Sequence, residues 1–167
     1  MRTRWRAALL AALSFLPVSC DQGLAPPPSG VLPAGRGAVT GVVRYRNWPP
    51  RDSLQDLRIV LFRNYPPGNI VSEVTGGRAA VHPPLGDTAL VPFYVDSLRY
   101  TLTAPSGVYQ YVVVAQQFGP SLYTDWRLVG QYDLDTNFAV PSPVTVPDGD
   151  TVRSVDINVD FARPPQP

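Results

Sequence analysis

The chain of 167 residues contains no lysine, and its fourteen basic side chains are all arginine. Without a lysine amine, the chain cannot form a Schiff base, supply the lysine of a phosphate-binding loop or use a serine–lysine mechanism. The single histidine, His82, excludes a zinc site built on several histidines, and no Gly-x-Ser-x-Gly nucleophile motif is present. The segment Val81-His82-Pro83-Pro84 is typical of a loop, so we expect an ordinary loop histidine rather than a general base. This inventory predicts a protein that is not an enzyme and that needs no metal or cofactor.

Cysteine and long apolar runs are equally scarce. Cys20 is the only cysteine, so no disulfide can form within the chain. The longest apolar stretch, from Ala7 to Val18, is interrupted by Pro17 and is shorter than the roughly 20 residues that a membrane-spanning helix needs. Without the three arginines near its start, the chain has eleven basic against thirteen acidic side chains. A slightly acidic balance argues against nucleic acid as a partner.

The first residues have the three parts of an export signal. A basic start containing Arg2, Arg4 and Arg6 precedes an apolar core, and small Ser19 stands before Cys20. The segment Leu16-Pro17-Val18-Ser19-Cys20 resembles a bacterial lipoprotein signal, in which the cysteine thiol receives diacylglycerol and becomes the new N-terminus. It departs from the family pattern at Pro17, where leucine is preferred. The resemblance implies lipidation of Cys20 and a membrane-anchored protein facing the periplasm or cell surface; an ordinary secretory signal cut nearby is the alternative.

Composition divides the chain into four segments. Residues 1–19 are predicted to be a signal peptide and residues 20–36, rich in proline and glycine, a tether. Residues 37–162 are predicted to form one β-sandwich domain, and the proline-rich residues 163–167 a disordered tail.

Within residues 37–162 apolar residues recur with a period of two, which predicts strands. The residues predicted to share buried faces are Val39, Gly41, Val43 and Tyr45; Leu57, Ile59 and Leu61; Leu98, Tyr100 and Leu102; and Val155, Ile157, Val159 and Phe161. Tyr109 to Gln117 is apolar on nearly both faces and predicts a central strand, and Trp126 to Tyr132 another strand. Asp148-Gly149 predicts a tight hairpin between Val144–Val146 and Thr151–Val152. Arg51 to Asp56 is the one helical candidate, so the expected fold is an all-β sandwich of about seven strands.

Several strand sequences resemble a known family. Thr40-Gly41-Val42-Val43, the segments Leu57–Phe62 and Gly107–Ala115, and the closing Val-x-Asp-Ile-x-Val-x-Phe strand are similar to a carboxypeptidase regulatory-like domain. The resemblance implies a seven-stranded transthyretin-like (prealbumin-like) Greek-key sandwich over roughly Ala38 to Phe161. It also implies a non-catalytic module of the cell envelope, because such domains occur beside enzymes and in surface lipoproteins. Fold alone does not choose a ligand.

The sequence motifs of enzymes with the transthyretin-like fold are not found in this chain. Hydroxyisourate hydrolases use more than one histidine and end in Tyr-Arg-Gly-Ser, whereas this chain has only His82 and ends in Ala162-Arg163-Pro164-Pro165-Gln166-Pro167. A carboxypeptidase zinc site needs two histidines and a glutamate, so it is excluded as well.

One acidic segment has the spacing of calcium ligands. Asp133, Asp135 and Asn137 stand at the first, third and fifth positions of a calcium loop, but Phe138 replaces the required glycine and Val144 the final glutamate. A solvated turn is therefore the favoured interpretation. The acidic row of Asp156, Asn158 and Asp160 is interpreted as the solvent face of the last strand.

Aromatic residues beside proline or in predicted loops are the best candidates for a binding site. Such side chains can stack on sugar rings or on peptides. The candidates are Trp48, Tyr65, Tyr123 and Trp126. The competing interpretation, which we favour, is that they cover the ends of the core, since tryptophan is usually well buried. We therefore expect a structural or protein-interaction module, with envelope proteins or polysaccharide as partners and a carbohydrate-binding module as the alternative.

Overall fold

The computed structural model describes residues 32–87, 89–135 and 140–165, and all of them belong to one compact unit. The strands are β1 (Arg36–Arg46), β2 (Asp56–Phe62), β3 (Ala79–His82), β4 (Ser97–Pro105), β5 (Gly107–Tyr109), β6 (Tyr111–Gln117), β7 (Trp126–Gln131), β8 (Val144–Val146), β9 (Thr151–Val152) and β10 (Ile157–Asp160). The helices are a 3₁₀ turn at Arg51–Ser53 and α1 at Ile70–Thr75. The predicted all-β class is confirmed.

Most strands form one curled, mixed sheet. Its strand order is β3-β2-β6-β7-β10-β1-β4, and β9 pairs with β1 beyond this path. The pairs β1–β10 and β1–β9 are parallel, while the other neighbours are antiparallel. β5 and β8 form a separate two-stranded ribbon. The described residues thus contain ten strands rather than about seven.

The core lies within the curl and uses the residues that the two-residue period predicted. Val39, Val43, Leu57, Ile59 and Ile157 are fully buried in one apolar cluster. Their neighbours on the opposite faces of β1, β4 and β10 are largely polar, so the register of these strands is fixed by which face is buried. Burial of each such side chain contributes about 1.5–3 kcal/mol.

β2 and β6 are buried on both faces. Their second face forms an outer cluster that includes Val60, Phe62, Tyr111 and Val113, and Ile70 of α1 packs on it. Since a sheet face covered by a helix needs no polar residues, both strands are nearly continuous apolar runs. This explains why Tyr109 to Gln117 lacks alternation, although the chain is divided there into β5 and β6 rather than forming a single strand.

Helix α1 was not predicted. It has only six residues, and β-branched Ile70, Val71 and Val74 favour a strand. Its ends nevertheless have ordinary signals: the side chain of Asn69 accepts a hydrogen bond from the Ser72 amide, and two glycines follow the last turn. Packing on the outer cluster, which sequence alone does not show, decides in favour of a helix.

The predicted hairpin at Asp148-Gly149 is wrong. Gly149 does have a positive φ of 71°, as expected for this dipeptide. However, β8 pairs with β5 and β9 with β1, so the two flanking strands do not pair with each other. Instead the turn docks on the start of β1: the Asp148 carboxylate accepts a hydrogen bond from the Gly35 amide (2.7 Å), and the Gly149 amide donates to the Arg36 carbonyl (2.9 Å).

The structure describes a few residues on either side of the predicted domain, residues 37–162. β1 begins at Arg36, one residue before the expected start of the domain. In the predicted tail, Pro164 and Pro165 are half-buried. No helix in the described ranges has the length and apolar character to cross a bilayer. Residues 1–31, and with them the predicted signal peptide, Cys20 and nearly all of the tether, lie outside the described residues.

Candidate ligand-binding groove

The connection between β6 and β7, residues 118–125, is closed on itself by hydrogen bonds and is called here the aromatic loop. The amide of Phe118 donates to the Asp125 carbonyl (2.9 Å), and the amide of Asp125 donates to the Ser121 carbonyl (3.1 Å). The Asp125 carboxylate accepts from the Ser121 amide (2.9 Å) and from the Thr124 hydroxyl (2.8 Å). These bonds favour a single loop conformation, because local side-chain to backbone bonds replace a regular ladder.

Two further hydrogen bonds attach the aromatic loop to the rest of the domain. The side-chain amide of Asn69, at the start of α1, donates to the Tyr123 carbonyl (2.6 Å). The indole N–H of Trp126, on β7, donates to the Leu122 carbonyl (2.8 Å). Both bonds use backbone acceptors of the loop, so they fix its path without using its side chains.

Three side chains of this ordered loop are large, apolar or aromatic, and exposed. Phe118 is 41% exposed, Leu122 45% and Tyr123 66%. Single exposed apolar residues are common, but three on one hydrogen-bonded loop make a small apolar patch, the kind of feature that marks interaction sites.

A groove of about 410 Å³ lies beside the aromatic loop, between β7 and the start of α1. Its principal lining residues are Pro67, Asn69, Ile70, Tyr123, Thr124, Trp126, Arg127, Leu128, Pro164 and Pro165. Trp126 and Leu128 also pack on the outer cluster, so the groove floor continues into the apolar interior on that side of the sheet.

Arg127 is the one charged residue among the described residues that line the groove, but its side chain lies on the opposite face of β7 from those of Trp126 and Leu128. Its Nε donates to the side-chain oxygen of Gln116 (2.9 Å), and its guanidinium lies 6.0 Å from the centre of the Phe118 ring. Because Gln116 is fully buried, this bond holds the Nε of the exposed residue Arg127 against the domain.

The structure brings two of the four predicted aromatic residues together. Tyr123 and Trp126 both line the groove. Tyr65 instead packs edge-on against Tyr111 of the outer cluster, at 5.0 Å between ring centres. Trp48 belongs to a different region, described next.

Trp48 packs against the main core. Its ring centre lies 4.7 Å from those of Tyr45 and Phe161, and its indole N–H donates to the Val95 carbonyl (3.1 Å). The arrangement covers one end of the core and leaves Trp48 only partly accessible.

Arg127, Asn69 and the prolines of the groove were missed by the sequence analysis. Asn69 had a usable signal, because an asparagine three residues before Ser72 and ahead of an apolar stretch is a helix N-cap candidate. Arg127 had none, since its place beside Trp126 on β7 depends on the pairing of β6 with β7.

A second, polar groove of about 750 Å³ lies across the outer face of β1, β10 and β7. Asp133, Asp156, Asp160 and Arg44 are among its lining residues. Their carboxylates have structural partners: Asp156 accepts from the Val42 amide and from Arg44, and Asp160 accepts from Asn47. The described ranges contain no group of three or more His, Cys, Asp or Glu residues that could hold a metal ion.

His82 is the last residue of β3, not a loop residue as expected, and it is half-buried. Burial lowers the pKa of His82 below its usual value, and the positive charge of Arg58 lowers this pKa further. The Arg58 guanidinium pairs with Asp56 at 2.6 Å and also donates to the Pro83 carbonyl (2.9 Å), so it is a fixed neighbour. His82 therefore favours its neutral form.

Comparison with known proteins assigns no family. No family model and no curated protein matches the chain. One solved structure, a leucine-rich repeat protein from Bacteroides thetaiotaomicron, aligns with 77% of this chain at 10% identity and a TM-score of 0.37. The aligned part is 14% of that protein. A likeness at this level supports no inference about fold or function.

Proposed function

We propose that this protein is a non-catalytic, lipid-anchored component of a bacterial cell envelope whose β-domain is a protein-interaction module. The observation that carries the proposal is the aromatic loop, because its backbone is held by hydrogen bonds while Phe118, Leu122 and Tyr123 remain exposed. An ordered loop loses little conformational entropy when it binds, so its apolar side chains can contribute to affinity with a small ordering cost.

The composition of the site supports a protein partner. Tyrosine, tryptophan and arginine are the residue types most enriched among the residues that dominate binding energy at protein interfaces. Tyr123 and Trp126 lie together at the groove, with Leu122 and Phe118 on the loop beside it, and Arg127 lies near the Phe118 ring on the other face of β7.

We assign the domain, as part of this proposal, to the carboxypeptidase regulatory-like family with a transthyretin-like Greek-key sandwich. Support comes from the strand sequences Thr40–Val43, Leu57–Phe62 and the closing strand, which occupy β1, β2 and β10. The role as a module of the cell envelope is consistent with the predicted export signal.

The interaction role can be tested by site-specific photocrosslinking in a bacterial host. A photoreactive phenylalanine analogue in place of Tyr123 should give one defined protein adduct, whereas the same analogue in place of Leu90, which is 57% exposed, should not. The adduct should disappear when Phe118→Ser and Leu122→Ser are added, with the melting temperature unchanged. Equal adducts at both positions, or none at Tyr123, would contradict the proposal.

The proposed lipid anchor is a diacylglyceryl group on Cys20, and labelling with a fatty acid tests it directly. A diacylglyceryl group has two acyl chains, and two chains hold a protein on a bilayer much more firmly than one. We expect the full chain to incorporate labelled fatty acid and to sediment with membranes, and Cys20→Ser to lose both properties. An unlabelled wild-type protein in the soluble fraction would show that Pro17 prevents lipoprotein processing.

A further inference from the structure

We propose that residues 163–165, called here the proline strap, cover part of a longer binding surface on the outer face of β7, and that the partner protein displaces them when it binds. This regulation rests on the proposed function, because it concerns the same site. Two features carry it, the path of the strap across the sheet and the few contacts that hold the strap there.

A hydrogen-bonded turn leads from β10 into the proline strap. Phe161, just after this strand, is buried in the main core, and its ring centre lies 4.7 Å from that of Trp48. The Asp160 carboxylate accepts from the Ala162 amide (3.0 Å), and the Asp160 carbonyl accepts from the Arg163 amide (3.0 Å). The start of the strap is therefore fixed on the sheet.

The proline strap crosses β7, the neighbour of β10 in the sheet. Residues 126–128 of β7 line the groove beside the aromatic loop, and residues 129–131 line the second, polar groove. Pro164 and Pro165 line both grooves, so they lie between them, next to Leu128. The pairing of β6 with β7 shifts register after Leu128, which is typical of a β-bulge. Without the strap, the two grooves would form one continuous surface.

Apolar contact alone holds the strap beyond its turn. Pro164 and Pro165 are half-buried, lack an amide N–H, and make no hydrogen bond to another described residue. The exposed side chain of Arg163 forms no salt bridge with an acidic residue of the described ranges. Because apolar contact has no directional requirement, the strap can leave the surface without breaking a hydrogen bond, by pivoting at its turn.

Displacement of the strap changes what the partner can contact. It uncovers Leu128 and joins the aromatic loop to the polar groove, where the side chains of Arg46 and Asn158 have no hydrogen-bond partner among the described residues. A partner that covers both grooves gains these contacts, but it binds only those molecules in which the strap is displaced. Its apparent dissociation constant is then the intrinsic value divided by the displaced fraction. Loss of the strap should therefore strengthen binding.

The first arm of the test measures the strap without the partner. Hydroxyl-radical footprinting compares the full chain in detergent with the double variant Pro164→Ser and Pro165→Ser, which lacks the apolar rings of the strap. Labelling of Trp126 should rise in the double variant, whereas labelling of Trp48, which is remote from both grooves, should not change. Pro105→Ser is the matched control, since Pro105 is exposed and lines neither groove.

The second arm measures binding. With the photoreactive analogue at Tyr123 in the bacterial host, the double variant should raise the yield of the protein adduct severalfold, up to about tenfold if the strap is displaced in about a tenth of wild-type molecules. Pro105→Ser should leave the yield unchanged. Equal melting temperatures of the variants exclude unfolding as the cause.

Two results would overturn the proposal. Unchanged labelling of Trp126 would show that the strap does not cover β7, and an adduct yield that stays the same or falls would show that the strap does not compete with the partner. Both differ from failure of the proposed function, because the adduct at Tyr123 of the wild-type protein would persist. The absence of an adduct from wild type and double variant alike would refute the proposed function itself.

Discussion

Two regions with an aromatic residue near proline have opposite structural roles. Trp48, in Asn47-Trp48-Pro49-Pro50, packs against Tyr45 and Phe161 at the end of the main core. Tyr123, a few residues after Gly119-Pro120, lies on the aromatic loop and is 66% exposed. Both were candidates for ligand binding because both are aromatic residues near proline.

The two regions differ in which part of the residue the domain fixes, the side chain or the backbone. The Trp48 side chain is itself fixed, by ring contacts and by the bond from its indole to the Val95 carbonyl. At Tyr123 the backbone is fixed, by the bond from Asn69 to its carbonyl, and the side chain is left accessible. A side chain that is held stabilises the fold, whereas a held backbone with an accessible side chain fits the proposed binding role.

Trp48→Ala should have the largest effect on stability. Removing a large aromatic side chain from packed surroundings costs about 3–5 kcal/mol when it is fully buried, so we expect about 2–4 kcal/mol for the half-buried Trp48. Urea unfolding measures the change. A loss below about 1 kcal/mol would mean that Trp48 does not cover the core and would restore it as a ligand-binding candidate.

Alkaline pH should destabilise the folded domain through tyrosines buried in both apolar clusters. Burial raises the pKa of Tyr45, Tyr100 and Tyr111 above the usual value of 10.0. The unfolded chain therefore releases these protons first, binds fewer protons than the folded chain above about pH 10, and is favoured as pH rises. Since there is no lysine to titrate in this range, the effect should come largely from tyrosine. Urea midpoints from pH 8 to 11 should fall above pH 10; a flat profile would contradict the burial.

The hydroxyls of two buried tyrosines of the main core give a finer comparison. The Tyr100 hydroxyl donates to the Val155 carbonyl (2.7 Å), whereas the buried Tyr45 hydroxyl has no hydrogen-bond partner among the described residues. Tyr100→Phe should cost about 1–2 kcal/mol because it leaves a buried carbonyl with one partner fewer. Tyr45→Phe should be neutral or stabilising. Equal losses in urea unfolding would show that Tyr45 has a partner after all.

Much of the sheet was predictable because its signal is local. In β1, β4 and β10 one face is buried and one is polar, so the two-residue period of Val39, Tyr100 and Ile157 assigns each side chain to its face. The hairpin prediction failed because Asp148-Gly149 determines only the positive φ of a turn. Which strands pair on either side depends on β5 and β1, which are distant in sequence.

The site was predictable only in part, for the same reason. Aromatic character selected Tyr123 and Trp126, which line one groove, but it selected Trp48 equally, which packs on the main core. Exposure is decided by what packs on a residue: Phe161 comes from the far end of the chain to cover Trp48, and nothing comparable covers Tyr123. α1 was missed because its β-branched residues become helical only against the outer cluster.

Tyr123→Ala should have the smallest effect on stability, in contrast to Trp48→Ala, which should have the largest. The side chain is 66% exposed, and the hydrogen bond from Asn69 goes to a backbone carbonyl that alanine retains. We expect a change within about 0.5 kcal/mol in urea unfolding. Asn69→Ala is the matched control, since it removes both this bond and the cap of α1 and should cost about 1 kcal/mol. If Tyr123→Ala costs as much as Asn69→Ala, the tyrosine ring packs on the domain, and the loop is a structural element rather than a binding surface.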